Sequence, residues 1–273
     1  MAGNRGILRN SMKLRYFLPT THHERRRSHL TFVEPAEIVV MWSPKAACTT
    51  AVTWAFHHNG LLAEALAFSP WVHRYRLRRY QKTGRYLDRL AHLGRHSRHV
   101  VKIVRNPFER AVSSFLHAYR HGYEDAALAA MLGRPVDKQR RFSFREFVQF
   151  LEGIDLMRCN LHHRLQATPL ELHVLFGLRP HQIVRIEDGL EGALAGIERR
   201  FGLPPTDFSN PAFRSSHHTA RIASSAPAAD RIDLSIHQLP AAAAFYDADL
   251  VTRVGRLYAE DFARYGYERH VPG

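Results

Sequence analysis

The sequence predicts an α/β fold with a central, mainly parallel β-sheet flanked by helices. Short apolar runs of strand length alternate with longer amphipathic segments, and the two clearest runs each end in a loop that opens a helix. No internal repeat interrupts this alternation, and no apolar run approaches the ~20 residues of a membrane span.

In chain order, residues 1–30 are basic without a clear period, and "THHERRRSHL" reads as a solvated arm ahead of one domain over residues 31–273. "EIVVMW" (37–42) reads as a short buried strand, and "TTAVTWAFHHNG" (49–60) as a helix closed by Asn59-Gly60. His57 and His58, at that helix end, suit its dipole. Residues 74–98 are basic and read as helical with a break at Gly84; their charge reads as a solvated face or as a guide for an anionic acceptor. His99 to Val104 is the second strand. Asn106 can cap the next helix, Pro107 suits its first position and Glu109 completes a capping box. Phe108, Val112, Phe115, Leu116 and Tyr119 then share one helical face. Residues 142–153 form an amphipathic helix, 181–204 a strand, loop and helix, 210–230 a loop, and 246–267 a closing helix.

With 273 residues and 45% hydrophobic content the chain can bury a real core. The net charge of +14, with 19 histidines uncounted, favours an anionic partner. Only five of the 39 basic residues are Lys, so codon bias toward Arg weakens the overall charge as evidence of partner type. Cys48 and Cys159 make no disulfide framework and no zinc site by themselves. The basic N-terminus has no continuous apolar stretch of signal-peptide length. A soluble cytoplasmic protein is expected, with peripheral membrane contact left open.

The first strand leaves through Ser43-Pro44-Lys45-Ala46-Ala47-Cys48-Thr49-Thr50. A tight loop at a helix N-terminus exposes backbone N–H donors, and the helix dipole adds to their attraction for phosphate. Ala46, Ala47 and Cys48 are small enough to let an anion approach the backbone, Thr49 and Thr50 add hydroxyls, and Lys45 adds a charge. Cys48 itself reads as a packing residue. The nucleoside-triphosphatase pattern GxxxxGK[ST] is absent, because the lysine precedes the small residues. An ordinary buried turn with an incidental Lys is the competing reading. At the second junction Arg105 ends the strand and Ser113 follows two helical turns later. The pair could hold a second phosphate, against an ordinary edge arginine as the alternative.

Together, "PKAACTT" and "RNPFERAVSSF" resemble the two signatures of sulfotransferases that use 3'-phosphoadenosine 5'-phosphosulfate, PAPS. The resemblance is to family 2 carbohydrate sulfotransferases of the chondroitin, dermatan and HNK-1 type. Asn106 stands where the family has an acid, which keeps capping ability. "NLHHRLQ" (160–166) resembles the family's His-Trp-x-x-Gln segment with His163 in place of Trp, and the likeness runs from about residue 37 to 268. It implies a P-loop-like three-layer fold and transfer of a sulfuryl group to a carbohydrate or glycolipid hydroxyl. Pro44 to Thr50, with Lys45 also catalytic, would hold the 5'-phosphosulfate, and Arg105 and Ser113 the 3'-phosphate. For the base it points to His73, between the two motifs, then His162, with Glu64 third. Arg185 and Glu187 are expected to pair locally, with a part in shaping the site as the alternative, and "FRSSHHT" (213–219) to close over the adenine or acceptor. No metal and no nucleic acid are expected; oligomeric state is open. The missing anchor implies a soluble bacterial member. A divergent P-loop nucleotide kinase and a basic nucleic-acid-binding protein are the alternatives, but neither a Walker lysine nor a nucleic-acid motif is visible.

Overall fold

The computed structural model describes residues 29–93, 98–138, 141–167, 171, 178–213, 221–222 and 239–272. Four strands, β1 (Leu30–Val33), β2 (Ile38–Trp42), β3 (His99–Val104) and β4 (Gln182–Arg185), form a sheet in that spatial order. β1 runs antiparallel to β2, while β2, β3 and β4 are parallel neighbours. Every residue of β2 and β3 is buried, so helices cover both faces, as parallel strands require. This is the α/β sheet flanked by helices that the sequence predicts. A separate two-stranded pair joins β5 (Arg221–Ile222) and β6 (Leu239–Pro240).

After β2 come α1 (Cys48–His58), α2 (Leu62–Phe68), α3 (Val72–Arg78) and α4 (Gly84–Ala91). Gly84 starts α4 rather than breaking a longer helix, because Thr83 caps it by accepting from Tyr86 N at 3.1 Å. After β3 come α5 (Pro107–His121), α6 (Asp125–Leu132) and α7 (Phe144–Glu152). After β4, α8 (Leu190–Phe201) ends at Gly202, whose φ of 65° closes the helix in the left-handed region. The closing helix is two, α9 (Ala248–Leu257) and α10 (Ala259–Tyr265), turned at Tyr258, whose buried hydroxyl donates to His163 O at 2.9 Å.

Two apolar cores result. One packs the sheet against α1, α3, α4 and α8; the other joins α5, α7, α9 and α10 around Phe115, Phe147 and Phe262. The loop from β3 to α5 therefore links one core to the other. The strand β1 and the helices α2 and α6 are not among the sequence expectations. Residues 1–28 of the expected arm lie outside the described residues, as do 214–219 of the expected closing loop.

Candidate active site

Trp42 in β2 stands in register with Ile103 in β3, so the two strand-to-helix loops leave the sheet side by side. The first loop folds tightly, with Ala46 N donating to Ser43 O at 3.1 Å. Lys45 (φ 69°) and Ala47 (φ 49°) both adopt the left-handed conformation, with Ala46 between them outside it. For L-residues other than Gly this costs roughly 1–2 kcal/mol each. Such alternation of handedness is the conformation of backbone anion nests. Ala47, the N-cap of α1, has no side-chain acceptor to offer the first N–H groups of the helix. Ala46 is buried; Pro44, Lys45, Ala47, Cys48, Thr49 and Thr50 are half-buried. Burial raises the Cys48 thiol pKa, which fits a packing residue better than a nucleophile.

The second loop is held differently. The Gln166 side chain takes both backbone groups of Arg105, accepting from its N–H at 2.9 Å and donating to its carbonyl at 2.7 Å. Asn106 caps α5 by accepting from Phe108 N at 2.9 Å, and Pro107 occupies the first helical position. The expected capping box does not close: Asn106 N donates to Glu187 at 2.7 Å, and Glu109 pairs with the Arg105 guanidinium. That guanidinium also donates to the Lys45 carbonyl at 3.4 Å, bringing the two loops into contact. Its buried Nε has no hydrogen-bond partner among the described residues. Ser113 stands half-buried on α5, whereas its neighbour Ser114 is buried against His162 O (2.8 Å) and the His163 ring (2.6 Å).

Arg110 ties the parts together. Fully buried, it donates from Nε to Pro44 O at 3.1 Å and from Nη2 to His162 O at 3.4 Å. Burial lowers the Lys45 pKa to about 8, with Arg105, Arg120 and Arg110 adding to the fall and Cys48 opposing it. Lys45, Arg105, Arg110 and Arg120 thus gather positive charge at the loop pair.

The histidines separate on geometry. Arg76 Nε donates to His73 Nδ1 at 3.3 Å, so the neutral ring carries its proton on Nε2, 3.5 Å from Thr49 Oγ1. Burial and Arg76 lower its pKa to about 3. In His162 the Asn160 oxygen faces both the backbone N–H (3.2 Å) and ring Nδ1 (2.9 Å). The ring proton therefore sits on Nδ1 and the Nε2 lone pair is left as acceptor. Burial, then Lys45, lower the pKa of His162 to about 4. Glu64 is exposed on α2 and bonds the Tyr75 hydroxyl.

A family model described as "Sulfotransferase family" matches residues 28–268. The chain belongs to that family. No curated protein and no solved structure matched in the other two comparisons. As a sulfotransferase it is an enzyme of sulfuryl transfer, with a sulfonate donor and an acceptor substrate. No group of three or more His, Cys, Asp or Glu suited to a metal ion occurs among the described residues.

Several residues that shape the sulfotransferase's loops were not given roles by sequence. Gln166, in "NLHHRLQ", also accepts through its carbonyl from Ser43 Oγ (3.2 Å) and Lys102 Nζ (2.7 Å). Its N–H is held by buried Asp261 at 2.8 Å. Lys102 is buried in β3 and paired with Glu171 at 2.8 Å. A lysine inside an otherwise apolar strand run was the available signal, since a buried cation demands a partner. The expected local pair is not formed: Arg185 donates to Tyr265 O (2.8 Å) and Gly266 O (2.9 Å), while Glu187 serves Asn106 and Tyr267. His58 is likewise more than a helix-end charge, because its ring meets Glu198 at 3.1 Å.

Proposed function

We propose that the chain transfers the sulfuryl group of 3'-phosphoadenosine 5'-phosphosulfate to a hydroxyl of a carbohydrate or glycoconjugate. The observation that carries this reading is the contact between Arg105 and the Lys45 carbonyl, which sets two cation-bearing junctions against each other. A nucleotide with anions at both ends fits such a pair better than a nucleoside triphosphate does. The orphaned Arg105 Nε supports a ligand at the second junction.

In this reading the Pro44–Thr50 loop takes the 5'-phosphosulfate on its backbone N–H groups, with Thr49 and Thr50 hydroxyls beside them. Lys45 stabilises charge on the oxygen that bridges phosphorus and sulfur as the S–O bond breaks. Arg105 exchanges Glu109 for the 3'-phosphate, and Ser113 adds a hydroxyl. The base is His162 rather than His73. Its Nε2 lone pair is available and Asn160 holds the proton on the other nitrogen, the arrangement of an oriented general base. His73, already protonated on Nε2, orients Thr49. Bound donor phosphates raise the basicity of His162 above its free-enzyme value.

The test has two arms. Adenosine 3',5'-bisphosphate should raise the melting temperature far more than ATP with Mg²⁺, and labelled sulfate should pass from the donor into members of a glycan panel. Equal stabilisation by both nucleotides overturns the donor assignment; transfer only to non-glycan acceptors overturns the carbohydrate assignment.

A further inference from the structure

Seven large hydrophobic side chains are exposed among the described residues, and four of them, Leu66, Phe68, Trp71 and Leu77, lie on the α2–α3 hairpin. On α3 the exposed positions are Arg74, Leu77 and Arg78, while Val72, His73, Tyr75 and Arg76 are buried; exposed Trp71 is the extended residue that precedes the helix. At 100° per residue Arg74, Leu77 and Arg78 fall within about one third of the helix circumference. Arginine and apolar side chains therefore share one outward face. Arg79 covers the Phe68 ring at 5.4 Å, and Lys82 continues the exposed basic surface, while Arg85 beyond it is paired with Glu34. Glu64 is the only acid between residues 61 and 85.

We infer that this face docks the sulfotransferase on the headgroup layer of an anionic lipid membrane. Arginines interleaved with Trp and Leu match a surface whose charge is outermost and whose hydrocarbon begins a few ångströms below. An acidic polysaccharide would pair with the arginines but would leave Leu66 and Leu77 in water. A protein partner built for an apolar face would not favour so many cations with one acid. The Trp71 ring lies 5.7 Å from the His73 ring, which in turn reaches Thr49, so the docking face adjoins the first junction. Docked in this way, the first junction would lie close to the lipid surface; no described helix is long and apolar enough to cross a membrane.

Trp71 makes the inference directly testable. It is 53% exposed, whereas Trp42 and Trp54, the other two tryptophans, are at most 1% exposed. Because the whole chain carries +14, adsorption to anionic vesicles alone decides nothing. The readout is the emission of the full chain with phosphatidylglycerol–phosphatidylcholine vesicles and with phosphatidylcholine vesicles. A blue shift with the anionic vesicles, quenched by brominated lipid and lost in Trp71→Phe, is expected. Leu66→Ser with Leu77→Ser should weaken partitioning about tenfold at unchanged net charge. Unshifted emission, or partitioning indifferent to the Leu replacements, overturns the inference in favour of adsorption by overall charge. An equal shift with soluble heparin overturns it in favour of a polyanion platform. These outcomes are independent of donor binding, so the proposed reaction and the docking face stand or fall separately.

Discussion

The two strand-to-helix junctions are neighbours on one sheet edge, yet they are built on opposite principles. The first is uncapped and strained. Ala47 offers no side-chain acceptor, and two L-residues sit at positive φ, so the helix N–H groups remain available to a ligand. The second is sealed. Asn106 satisfies Phe108 N, Pro107 has no N–H, Glu187 takes Asn106 N, and Gln166 takes both backbone groups of Arg105. Its backbone has little left to give, so any anion there must be met by side chains. An open backbone binds a compact group closely and without selectivity; a sealed backbone carrying one oriented arginine adds discrimination. In the proposed reading the pair thus divides general anion binding from recognition of a second phosphate.

The largest expected effect falls on the open junction. Lys45→Ala should cut turnover on the order of 10²–10³. Because it also removes a partly desolvated cation, the melting temperature should not fall. Steady-state assays beside thermal melts check both; a folded variant with normal turnover breaks the assignment.

The next separates the junctions by pH. Free Lys45 titrates at about 8, and a bound anion favours its protonated form. Donor affinity should therefore be full below pH 8 and fall about tenfold per unit above it, until the bound-state value is reached. The increment from the 3'-phosphate should stay flat over that range, since arginine keeps its charge. Calorimetric titrations from pH 7 to about pH 10 read both slopes. A 3'-phosphate increment that fades with Lys45 would merge the two junctions into one.

Gln166→Leu removes the side-chain clamp on Arg105 but keeps the carbonyl that holds Ser43 and Lys102. A loss of about 1–3 kcal/mol in stability is expected, as two partly buried backbone groups lose partners. The 3'-phosphate increment should shrink while binding of a 5'-phosphate alone persists. Denaturant unfolding and paired titrations measure the two effects.

The smallest effects concern backbone strain. Ala47→Gly should stabilise the fold by up to about 1 kcal/mol by relieving the positive φ, while Asn106→Ala should cost about 1 kcal/mol through the lost cap. Opposite signs at equivalent helix starts would sharpen the contrast; equal signs would dissolve it.

Much of this architecture was legible from local pattern. His99 to Val104 is a strand as expected, and the helix behind Asn106-Pro107 starts where those residues dictate. Such features depend on neighbours a few residues away. The strand β1 escaped because its pairing with β2 is tertiary and its four residues carry no period. The clamp by Gln166 escaped because it joins residues 61 apart in sequence. The protonated nitrogen of His73 was likewise invisible, since it depends on Arg76 turning its Nε onto the ring. Position between two motifs suggested the base; hydrogen-bond direction moves the proposal to His162.

The most direct measurement compares adenosine 3',5'-bisphosphate with adenosine 5'-monophosphate by titration calorimetry on the unsubstituted chain, Lys45→Ala and Arg105→Ala. The expected result is a 3'-phosphate increment that survives Lys45→Ala and vanishes in Arg105→Ala, while the monophosphate loses affinity only in Lys45→Ala. An increment that persists without the Arg105 guanidinium would contradict the division of labour between the two junctions.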